Sequence, residues 1–133
     1  MIERRLLQGA VALASLVPIA AGAAGIADSA AMLAGFERPL PSDLDSHYRY
    51  LSGLLFGIGV AFLSCVPRIE ANGRRFRLLG AIVVVGGAAR LLSLLEVGAP
   101  SSGHLFGLGM ELVTVPLLML WQARAERVAR VDE

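Results

Sequence analysis

The sequence predicts an all-α fold: an integral membrane four-helix bundle formed as one transmembrane domain over residues 1–133. Three observations predict it. Hydrophobic residues make up 56% of the 133 residues against 17% charged, with positive mean hydropathy, a balance too apolar for a soluble domain of this size. Four apolar stretches, at about 6–27, 48–66, 76–97 and 104–123, each approach the ~20 residues that cross a bilayer as helix. The segments between them, "RPLPSD", "PRIEANGRR" and "GAPSSG", are rich in turn and breaker residues.

The first stretch follows Arg4 and Arg5 and carries Pro18, whose missing N–H frees a carbonyl that Ser15 is placed to engage. A basic start, an apolar middle and small residues also describe a cleavable signal peptide. The apolar run is longer than the ~7 to 15 residues of such a signal, which favours a retained helix. The second stretch opens at "HYRYLSG", where Tyr48 and Tyr50 suit an outer aromatic anchor, and closes at "FLSCVP". Cys65, the single cysteine, reads there as a small hydrophobe. The third stretch carries Arg90 in its apolar middle. The fourth carries Glu111 and Pro116, with Thr114 beside the proline, and ends at Trp121 and Gln122, an inner anchor.

Arginine placement sets the orientation. All 12 basic residues are arginine, which points to a GC-rich bacterial genome. Nine of them (4, 5, 68, 74, 75, 77, 124, 127 and 130) flank the same ends of the four stretches, so both termini and the central connection are predicted to be cytoplasmic, in a bacterial inner membrane. Short clusters at segment ends and a net charge of +1 describe no nucleic-acid footprint.

"SGLLFGIG" at 52–59 recurs as "SGHLFGLG" at 102–109, and "RLLQGA" at 5–10 as "RLLGA" at 77–81. Two pseudo-symmetric helical hairpins account for this echo, and so does chance within the small alphabet of membrane helices. The spacings Gly53/Gly57 and Gly103/Gly107, with Gly86 beside Arg90, predict close helix packing.

Arg90 lies seven residues before Val97 and Glu111 seven after His104, so both sit roughly 10 Å deep on helices joined by a short loop. Each charge alone costs roughly 2.5 to 3.5 kcal/mol on insertion scales, so an Arg90–Glu111 ion pair is predicted. His104, Gly107, Glu111, Thr114, Leu118 and Gln122 recur at helical spacing as an inward stripe. Arg49 at the outer start of the second helix, with His47 and His104, extends this into a polar cluster that is either structural or a site for a headgroup, a carboxylate or a quinone carbonyl. His47, His104, Asp45 and Glu96 are metal-ligand types, but their spacing fits no metal motif, and no metal or cofactor is predicted.

"HYRYLSGLLFGIGVAFL", "PRIEANGRRFRLLGAIVVVGGAARLLSL" and "MELVTVPLLMLWQAR" resemble a bacterial family of small four-helix membrane proteins, domain of unknown function 4345. The features that carry the likeness fall on His47, Arg49 to Gly53, Gly86 to Leu91, Glu111, Leu112, Pro116, Trp121 and Gln122. The resemblance implies four helices in an inner membrane and no transferable activity. From small size and the lack of a sizeable soluble domain, the sequence favours a non-enzymatic accessory or interaction subunit, partnered by the lipid bilayer and by another membrane protein or a second copy. A lipid, quinone or small-amphiphile binder with an outer-leaflet pocket is the alternative, and an intramembrane enzyme with Glu111 as acid or base ranks third.

Overall fold

The structure, a computed structural model, describes residues 2–131. It is all-helical, with no strand among the described residues. Four long helices account for it: α1 (Ile2–Met32, its last turn 3₁₀), α2 (Ser42–Arg68, likewise), α3 (Gly73–Val97) and α4 (Ser102–Val131). Each is long and apolar enough to cross a membrane, which is the element count of the predicted four-helix class.

The helices outrun the apolar stretches that predict them. α2 begins at Ser42, just past Pro41, whose carbonyl accepts from the Asp45 N–H at 3.0 Å, and Asp43 and Asp45 in its first turn complement the helix dipole. α4 continues to Val131 on polar side chains, with Arg130 paired to Glu126 one turn back and Arg127 Nε donating to the Ala123 carbonyl at 3.3 Å. Hydropathy measures the thickness of the solvent to be crossed, and intrahelical polar pairs decide where the coil stops. α3 ends where Gly98 takes φ +110°, a conformation that favours glycine, and donates its N–H to the Leu94 carbonyl at 3.2 Å.

The chain divides into two compact units, one of residues 11–64 and one of the start of α1 up to Ala10 with everything from Cys65 onward. In the first, α1 and α2 pack as an antiparallel pair with backbone close to backbone. A Cβ on Gly22 would lie 2.6 Å from the Phe56 nitrogen, and one on Gly59 would lie 2.7 Å from Ile19 Cγ1. Ser52 is buried between the helices and turns its hydroxyl back to the Tyr48 carbonyl at 2.7 Å, which satisfies it inside its own helix. Ser15 does the same towards Val11 at 2.7 Å, one turn ahead of Pro18.

In the second unit, α3 meets α4 along a seam of glycines seven residues apart. Gly73 faces Glu126 and Gln122, Gly80 faces Met119, and Gly87 faces Leu112 and Glu111. The partners Leu112, Met119 and Glu126 are themselves seven apart, so large side chains of one helix seat on the bare positions of its antiparallel neighbour. The apolar core is small: Leu7, Ile69 and Phe76 are buried, while Val85 is 70% exposed and Leu120 is 67% exposed. Such outward apolar faces are what lipid covers.

Four of the glycines predicted to pack have open space beside them among the described residues. A Cβ on Gly53, Gly57, Gly86 or Gly103 would meet no atom within 4 Å among the described residues, and on Gly107 it would make only ordinary contact, 3.9 Å from Arg90 Cζ. A four-residue spacing marks a small-residue face without saying which way that face looks. The echoed segments also differ in use, for Gly59 is packed while its counterpart Gly109 stands open.

Candidate functional site

Arg90 is held by a carboxylate. Its Nε donates to Glu111 Oε2 at 3.0 Å and its Nη2 to Oε1 at 3.1 Å, a two-point fork in which both oxygens are engaged. The side chains are 32% and 16% exposed, so both charges sit between helix and surface.

Local sequence explains the meeting. Gly87, one turn before Arg90, leaves room for Glu111: a Cβ there would lie 2.7 Å from Glu111 Cβ and 2.8 Å from Leu112 Cδ2. Glu111 itself stands on a π turn, Met110–Thr114, in which the Val115 N–H reaches back five residues to the Met110 carbonyl. Pro116 follows at once. It has no N–H to give and its ring crowds the carbonyl four residues earlier, and a widened turn ahead of it relieves both problems. Pro116 is thus preceded by a π turn that carries Glu111, a position where such turns often serve function.

The remaining predicted site residues have other partners. Arg49 belongs to the first unit, where its Nε bonds Asp45 Oδ2 at 2.9 Å and its Nη1 donates to the Ile26 carbonyl and, at 3.2 Å, to that of Ala27. Arg38 Nη2 adds a bond to the Asp28 carbonyl at 3.2 Å. These two arginines cover carbonyls that the end of an α-helix leaves without donors. Beside them lies a hollow of about 640 Å³ lined by Arg38, Pro39, Leu40, Ser42, Asp45 and Arg49. His104 sits in the first turn of α4, with Nδ1 2.9 Å from Ser101 Oγ, two helical turns from Glu111. His47 is exposed. Among the described residues no three His, Cys, Asp or Glu side chains gather where they could hold a metal ion.

A second polar centre lies at the arginine-rich end of the second unit, and sequence reasoning named only its Gln122. That side chain is fully buried; its Nε2 donates to the Ile69 carbonyl at 3.1 Å and its Oε1 accepts from Arg77 at 3.4 Å. Arg77 also bonds Glu126 at 2.7 Å, and Gly73 is the bare position beneath them. Gln8 Nε2 reaches the Val66 carbonyl at 2.8 Å, covering the end of α2. The seven-residue recurrence Gly73, Gly80, Gly87 was the available signal for this seam.

Chemically, the Arg90–Glu111 fork neutralises two charges within apolar helices and ties α3 to α4. Helices able to cross a membrane four times, with a charge pair between two of them, define a multi-pass membrane protein. Within that class, the chain belongs to the family described as domain of unknown function (DUF4345), which matches residues 6–122. No curated protein and no solved structure matches it.

Proposed function

We propose that this protein is a non-enzymatic accessory or interaction subunit of a bacterial inner membrane, with both termini in the cytoplasm. The observation that carries the reading is the state of Glu111. It is the only carboxylate in the apolar run 104–123, and both its oxygens accept from Arg90. A carboxylate so engaged is already occupied, because a substrate must displace a guanidinium to reach its oxygens. What remains is a small helical body with outward apolar faces, suited to association within the bilayer. The arginine distribution supports the orientation.

One observation favours the second reading, a lipid, quinone or amphiphile binder: the hollow beside Arg38 and Arg49 offers guanidinium groups at the outer end of the first unit. Native mass spectrometry of the protein, extracted from its own membranes in mild detergent, separates the two. A stoichiometric protein partner is the result expected of a subunit. A lone chain retaining a defined small molecule overturns that reading in favour of the binder.

A further inference from the structure

We propose that the hollow at the arginine-rich end of the second unit is a binding site for a phosphate group, supplied by the headgroup of an anionic phospholipid. The hollow measures about 430 Å³ and is walled by Arg4 of α1, Arg68 and Glu70 of the α2–α3 junction, and Glu126 and Arg130 of α4. Ala71 and Ala129 complete its lining, and their short side chains leave the space open.

The charges are out of balance in one direction. Glu70 is paired with Arg4 at 3.2 Å, and Glu126 is held by Arg77 at 2.7 Å and by Arg130 as well. Arg68 has no carboxylate partner among the described residues. Three arginines and two glutamates thus line the hollow, Arg77 adds to the pairing of Glu126 from outside it, and the surplus is the Arg68 guanidinium, whose planar fork matches phosphate oxygens. The hollow is far larger than a water or a halide ion needs.

Its position favours a lipid over a soluble ion. Arg4 stands two residues before the first apolar stretch, and Arg68 two residues after the second, so the walls lie at the depth of headgroups.

The test uses the full chain in phosphatidylcholine nanodiscs, titrated with short-chain phosphatidylglycerol and, separately, with inorganic phosphate, with the thermal midpoint as readout. Arg68→Gln removes the surplus charge, and Ala129→Leu fills the hollow without altering charge. Arg75→Gln, in the first turn of α3 outside the hollow, is the control. Phosphatidylglycerol is expected to raise the midpoint of the wild type and of Arg75→Gln, with binding weakened roughly tenfold in Arg68→Gln, the loss of one charge-assisted hydrogen bond, and weakened also in Ala129→Leu. A response to inorganic phosphate, equally sensitive to both variants, keeps the phosphate site but overturns the lipid as its source. No response to either titrant, or equal losses in Arg68→Gln and Arg75→Gln, overturns the site itself.

Discussion

At the scale of single residues, the Arg90–Glu111 fork sets a sharp asymmetry between breaking a pair and removing it. Arg90→Leu strands a carboxylate among apolar helices, and the expected cost is about 3 kcal/mol, read as a lower detergent melting midpoint and lower membrane yield. Arg90→Leu combined with Glu111→Leu should recover most of that loss; equal instability of single and double variants would rule out a purely structural pair. Arg49→Gln should act differently. Its guanidinium covers the carbonyls of Ile26 and Ala27, so its loss is expected to raise amide exchange at the end of α1 and leave α3 and α4 unchanged. The Arg90 partner was legible in the sequence because helical rise and a short loop fix two depths. The partners of Arg49 were only half legible, since Asp45 sits one turn away in the same helix while backbone carbonyls carry no residue code.

At the scale of elements, glycines divide by what stands opposite them. Gly22 faces the backbone of Phe56, and Gly87 faces the Cβ of Glu111, neither of which can retreat without moving a helix. Gly22→Ala and Gly87→Ala should each cost roughly 1 to 3 kcal/mol as overpacking. Gly80 faces the flexible thioether of Met119, so Gly80→Ala should cost less, and Gly57→Ala or Gly86→Ala should stay within about 0.5 kcal/mol. A set of detergent melts in which Gly86→Ala proves as damaging as Gly87→Ala would refute this ordering. The existence and order of the helices could be read from hydropathy, but their packing faces could not. A GxxxG spacing occurs wherever small residues crowd a helix, whereas the recurrence at seven matches the period of an antiparallel seam and was the better guide. The π turn was legible only as the trouble that Pro116 makes.

At the scale of the whole molecule, four helices are long and apolar enough to cross a membrane, and the proposed topology puts both termini on one side. With the proposed cytoplasmic orientation, a fluorescent protein fused after residue 133 should fold and glow, and alkaline phosphatase inserted near Ala99 should be active; the reverse pattern would invert the topology. Fold class was readable at this scale because bilayer thickness imposes one length on every crossing. Activity was not, because the matched family supplies no reaction and the most conspicuous charges neutralise each other. The bare positions on α1 and α3 also have a genetic meaning. A glycine codon is one base away from alanine, valine, serine, arginine or an acid, and at Gly22 and Gly87 each of those brings an atom where a neighbour already lies. Inheritance is therefore narrow at these two codons and wide at Gly86 next door, so the drift of descendant sequences would trace the contact line between helices without any image of it.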